Sequence, residues 1–76
     1  FKQKEIDNAI KSFKKVVELN PKDAESYNKL GICYMNKRKY DDAINSYSKA
    51  ISLNNDSSYY HNNIGIAYVK TQAYKK

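Results

Sequence analysis

In 76 residues this chain has one cysteine, one histidine, one arginine, one proline and no tryptophan. Each scarcity excludes something. With Cys33 alone, no disulfide framework staples the chain, and an unpaired cysteine fits a reducing compartment, so the cytoplasm is the expectation. His61 has no cysteine or carboxylate cluster at metal-ligand spacing, and no metal is expected. Arg38 is the one arginine, so there is no arginine-rich run, and no RNP-type motif accompanies it. No apolar run approaches the roughly 20 residues a membrane helix needs, and there is no signal-peptide apolar segment. No Gly-rich phosphate loop, nucleophile elbow or paired-carboxylate constellation is found. The expectation is a chain that is not an enzyme, has no cofactor and does not enter a membrane.

What the chain does have is positive charge and tyrosine. Lysine and arginine number 14 against 8 acidic residues, a net charge of +6, and there are eight tyrosines. A basic excess suits an acidic partner, a nucleic acid or an anionic surface. Lysine spread over solvated faces by an A/T-rich codon bias gives the same excess, and Asn, Tyr and Ile are abundant too. Asn55-Asp56-Ser57 fits the glycosylation acceptor pattern, a triplet common by chance. The chain opens on Phe1 and closes on Tyr74-Lys75-Lys76 without a helix stop signal, the pattern of a segment cut from a longer protein.

A shift of 34 positions brings the chain onto itself without a gap. Identities fall at Asp7/Asp41, Ala9/Ala43, Ile10/Ile44, Ser12/Ser46, Lys15/Lys49, Leu19/Leu53, Asn20/Asn54, Asn28/Asn62, Gly31/Gly65, Ile32/Ile66, Tyr34/Tyr68 and Tyr40/Tyr74. Phe13/Tyr47, Val17/Ile51, Leu30/Ile64 and Cys33/Ala67 keep their class. A fixed period of this length marks a stacked repeat.

Each period holds two helical patterns. Tyr27, Leu30, Gly31, Tyr34 and Met35 share one helical face, and Tyr40, Ala43, Ile44, Tyr47, Ala50 and Ile51 share another. Between them, Lys37-Arg38-Lys39 suits the negative end of the first helix, and Asp41-Asp42 the positive start of the second. Two antiparallel helices joined by a tight turn are predicted. At the repeat boundary, Asn20 is expected to cap the next helix, with Pro21 in its first turn and Asp23 adding charge; Asn54 keeps the cap in the next boundary. Gly31 and Gly65, with Ala9, Ala43, Ala50 and Ala67, are small residues on apolar faces. Glycine inside a helix costs about 1 kcal/mol relative to alanine, so its recurrence at one repeat position points to close packing.

The unit Tyr27, Leu30, Gly31, Tyr34, Ala43, Tyr47, Ala50 resembles the tetratricopeptide repeat, with Asn55 where that family places a proline. Pro21 fills that place one repeat earlier, beside Ala9, Phe13 and Val16, and His61, Ile64, Gly65 and Tyr68 continue the pattern. The resemblance implies an all-α fold, an α–α superhelix of helical hairpins, here a fragment with about four helices. Residues 1–23 would be the second helix of a partial repeat and its boundary loop, 24–57 a complete repeat, and 58–76 the first helix of a third, with Tyr74 opening that repeat's second helix. The open ends should expose Ile6, Ile10, Phe13 and Val17, which neighbouring repeats or another copy of the chain would cover.

The resemblance also implies a function: a scaffold that binds a partner protein or peptide in a concave groove lined by the first helix of each repeat. By register the groove residues are Glu25, Asn28, Ile32, Met35 and Asn36, followed by Tyr59, Asn62, Ile66, Val69 and Lys70. A co-chaperone-like carboxylate clamp would need a lysine and an asparagine one turn apart, where this chain has Asn28 and Ile32; Asn63 could supply a further asparagine and Lys29 a cation. His61 and Cys33 read as packing residues. Two other readings stay open: a basic nucleic-acid-binding repeat, drawing on Tyr59-Tyr60 beside lysines but opposed by the missing motifs, and an accessory segment of a larger chaperone-associated enzyme.

Overall fold

The computed structural model of the chain describes residues 3–75, with side chains for residues 3–73. Four α-helices follow in order: α1 (Gln3–Leu19), α2 (Ala24–Asn36), α3 (Tyr40–Leu53) and α4 (Ser58–Lys75). No strand occurs among the described residues. Each helix packs on the next, and the whole forms a slab of 37 × 32 × 15 Å. The all-α hairpin architecture matches the expectation from the period.

The caps lie three residues beyond their expected place. Asn20 still donates its N–H to the Val16 carbonyl of α1 at 2.7 Å, so it closes one helix instead of opening the next. After a turn through Pro21 and Lys22, Asp23 caps α2: one carboxylate oxygen accepts from the Ser26 N–H at 3.2 Å and the other from the Ser26 hydroxyl at 2.8 Å. The repeat preserves this position. Ser57 accepts from the Tyr60 N–H at 3.2 Å, while Asn54 closes α3 on the Ala50 carbonyl at 2.9 Å. A side-chain oxygen at this place satisfies a donor that has no partner within the helix.

The α2–α3 turn reverses at Arg38, whose φ is 62°. Arg38 donates to the Met35 carbonyl at 3.0 Å and Lys39 to the Tyr34 carbonyl at 2.9 Å, the paired bonds that close a helix on a left-handed residue. Glycine usually holds that conformation, and arginine there costs roughly 1 kcal/mol. Packing of α3 onto α2 offsets this cost. Gln72 occupies the equivalent place in α4, and there the helix runs on to Lys75. Tyr74 therefore does not open a new helix. No described element packs back on α4 after Gln72, and Thr71-Gln72-Ala73 does not interrupt the helix by itself.

The core is a set of seams. Ala43, Tyr47 and Ala67 are buried together, with Ile32, Tyr34, Met35, Ile44 and Ile64 packed around them. Gly31 makes the seam possible: a methyl group built on it would stand 2.5 Å from the Tyr47 ring. At Gly65 no described atom lies within 4 Å of such a methyl. On α1 the expected exposure holds for part of the face. Ile10, Phe13 and Val17 are half-buried, but Ile6 is 4% exposed, because α1 packs on α2 through Ile6 and Ala9 near Cys33. Lys37 at the end of α2 also pairs with Asp7 of α1.

Two predictions follow from this packing. Gly31→Ala gains helix propensity but drives the Tyr47 ring aside, and the overpacking outweighs the gain by about 1–2 kcal/mol. Gly65→Ala meets open space and stabilises by up to about 1 kcal/mol. At about 4–8 °C per kcal/mol, thermal melts should move in opposite directions, and a parallel shift would refute the assignment. Tyr47 supplies the second. Burial first, and then Tyr59 and Cys33 as anions, push its phenol up to about 12. The unfolded phenol ionises near 10. The folded state thus holds the proton more tightly, so the stabilisation is complete below about pH 10 and is lost as pH rises towards 12. Tyr47→Phe should flatten the stability decline over that window in denaturant titrations, and an unchanged slope would show that Tyr47 does not drive it.

Candidate functional site

Three of the groove residues expected on α2, Glu25, Asn28 and Ile32, lie three and four positions apart on one stripe. That stripe faces α4 and the core. The Tyr60 hydroxyl donates to Glu25 at 3.3 Å, the Asn63 amide donates to the Asn28 carbonyl oxygen at 3.0 Å, and Ile32 packs on the Ala43–Tyr47–Ala67 cluster. Asn28 is fully buried, which corrects its placement in the groove: it is a seam residue that a partner cannot touch in this arrangement. Asn63 and Ile32 are half-buried, whereas Glu25 remains exposed beside its tyrosine.

The Asn28 amide nitrogen has no partner among the described residues. A buried amide keeps a large desolvation cost unless its oxygen, at least, is bonded. Asn63 supplies that bond.

The remaining residues form an open surface. Met35, Asn36, Arg38 and Tyr40, at the α2–α3 turn, face Lys70 and Ala73 of α4 across a depression of about 610 Å³. A second depression of about 330 Å³ lies along α4, lined by His61, Asn62, Gly65, Ile66, Val69 and Lys70. Lys70 lines both, so the two adjoin. Ile66 is 46% and Val69 66% exposed, values high enough to make an apolar strip in contact with water. Tyr59 stands apart at the start of α4, largely exposed, its ring 6.2 Å from that of Tyr60.

Several residues at this surface were not expected. Arg38 belongs to a turn and lies on no helical face, so periodicity does not find it, and Tyr40, the first residue of α3, reads from the sequence as a packing residue. Tyr60 is buried, and burial followed by the neighbouring Glu25 carboxylate raises its phenol pKa. Its repeat partner Ser26 is buried as well, and only the comparison of the two positions in space reveals the shared role. His61 lies exposed, with its Nε2 paired to the Asn55 carbonyl oxygen at 2.9 Å. Cys33 is half-buried and burial pushes its thiol pKa up, the opposite of an activated nucleophile. Among the described residues no group of three His, Cys, Asp or Glu side chains could hold a metal ion, and no helix is long and apolar enough to cross a membrane.

Chemically, the surface offers apolar contact from Met35, Ile66 and Val69, amides from Asn36 and Asn62, and positive charge from Arg38 and Lys70. Its shape depends on the α2–α4 seam. Asn63→Ala removes the partner of the Asn28 carbonyl oxygen and should cost about 1–3 kcal/mol in chemical denaturation. A loss below a few tenths would mean that the Asn28–Asn63 bond does not hold the seam.

Two family models match the chain. A tetratricopeptide repeat model covers residues 24–57, the hairpin of α2 and α3, and a TPR repeat model covers residues 1–38, from α1 through the turn after α2. No curated protein matches it. One model spans half of the chain, the other frames its complete hairpin, and the chain belongs to the tetratricopeptide repeat family.

Proposed function

We propose that this chain is a protein-interaction module that receives an extended peptide segment of its partner along α2 and α4, on Met35, Asn36, Asn62, Ile66, Val69 and Lys70. Repeats of this family are generally protein–protein interaction modules. The observation that carries the reading is the pair of adjoining depressions joined at Lys70. An extended strand leaves its backbone unpaired, and asparagine amides donate to and accept from such a backbone. Ile66 and Val69 supply the apolar contact, and the cations at Arg38 and Lys70 favour a carboxylate-bearing segment. The carboxylate-clamp pattern is not the basis of this reading, since Asn28 is sealed in the seam.

Selection from a displayed random-peptide library provides the test. The wild-type chain should enrich peptides with an acidic and an apolar position. Lys70→Glu and Ile66→Asp should each weaken binding of an enriched peptide by at least about tenfold, the equivalent of 1.4 kcal/mol, with unchanged helical circular dichroism. Lys49→Glu, on the exposed side of α3, should bind as the wild type does. Folded Lys70 and Ile66 variants that bind normally would place the partner elsewhere.

A further inference from the structure

The unpaired charges along α2 are sorted by sign. At its start stands Glu25, exposed, its carboxylate accepting from the Tyr60 hydroxyl at 3.3 Å. Neither Lys22 nor Lys29, its neighbours in sequence, pairs with it, nor does any other described cation. Past the other end of α2 stands Arg38, with Lys70 across the depression. Both are exposed, and neither pairs with a carboxylate among the described residues. Lys37 beside them is already neutralised by Asp7. Asp41 and Asp42, on the exposed start of α3, line neither depression. Glu25 and Arg38 both belong to the complete hairpin, and Ile32 and Met35 lie half-buried between them.

The cationic end also restricts which anion it takes. The N–H groups of Lys37, Arg38 and Lys39 are spent on the carbonyls of Cys33, Met35 and Tyr34. No backbone nest is left there for a terminal carboxylate, so an anion meets side chains alone. The planar fork of Arg38 suits a carboxylate, and it is presented from a backbone with φ of 62°, which glycine takes with less strain.

We propose that the groove is polarised and selects its peptide by two opposite charges: an acidic side chain docks at Arg38 and Lys70, and a basic side chain docks on Glu25. This rests on the reading of the groove as a peptide site and adds the direction in which the peptide lies. From Glu25 to Asn36, α2 rises about 16 Å, and Arg38 lies beyond. An extended strand rises about 3.3 Å per residue and turns alternate side chains to one face, so the two charges stand about six residues apart. The residues between them pass over Ile32 and Met35. A peptide with the two charges exchanged has to lie the other way round. Both contacts are exposed, so salt weakens them.

Peptides enriched from the displayed library are the probe. Their sequences should share a basic and an acidic residue about six positions apart. Glu25→Gln keeps an acceptor for the Tyr60 hydroxyl and removes only the charge. It should weaken an enriched peptide about threefold at low salt, with the difference vanishing near about 1 M salt. Glu25→Lys should weaken it further, and replacing the peptide's basic residue by glutamate should restore binding. Arg38→Gly relieves the left-handed residue, so it should melt higher than the wild type and yet bind about threefold more weakly. Amidating the peptide's C-terminus should change nothing. If Glu25→Gln and Glu25→Lys bind normally while Lys70→Glu and Ile66→Asp do not, the peptide site stands and its polarity is overturned. Loss of binding on amidation overturns the proposal as well, because the anion is then a chain terminus. If no peptide is enriched, or folded Lys70→Glu and Ile66→Asp bind normally, site and polarity fall together. Should Glu25→Lys fail to fold by circular dichroism, the Glu25→Gln and Arg38→Gly arms decide the matter.

Discussion

The meeting of the Tyr47 ring with the bare backbone at Gly31 sets the geometry of this chain. A side chain at residue 31 would hold α2 and α3 apart, and the ring would have no bed. With glycine there, the ring closes over the backbone, Ala43 comes to full burial, and α4 can lay Ala67 against the same cluster. The glycine costs helix propensity, and the packing around it offsets that cost. The other features are arranged around this contact. The left-handed Arg38 turns the chain so that α3 can return, and the Asp23 cap starts α2 in the right phase.

The period made most of this legible. Identical residues 34 apart place the helices, and small residues at repeated positions point to close seams. Helix ends were less legible, because Asn20, Pro21 and Asp23 all suit a boundary. Only the hydrogen bonds show that Asn20 finishes α1 while Asp23 starts α2. A repeat alignment assigns equivalent positions equivalent roles, and Gly31 and Gly65 show where that fails. The same residue is tightly packed at one place and open at the other, since burial depends on the neighbour and not on the residue.

The candidate surface was legible only in part for a related reason. Register predicts which residues leave the helix on one side, but not which of them the adjoining helix covers. Asn28 and Asn63 turn inward because α4 packs across α2 through hydrogen-bonded side chains at that level. Further along, Asn36 and Lys70 stay exposed and Met35 half-buried where the two helices face each other across the depression. Arg38 joins them from a turn, where helical periodicity carries no information, and Tyr40 from the first residue of α3.

At 15 Å thick, the slab is little more than a helix and its side chains deep. The described residues form joints between neighbouring helices instead of one central interior. Mechanically the slab behaves as a row of short stiff elements hinged at their contacts. A load applied to the two outer helices would pass through every joint in series, and the joint that yields first would set the extensibility of the whole. At the joint between α2 and α3 the Tyr47 ring interlocks with the backbone at Gly31. The contact between α2 and α4 rests on the Tyr60–Glu25 and Asn63–Asn28 hydrogen bonds, so a change in the angle between these two helices would widen or narrow the surface offered to a partner.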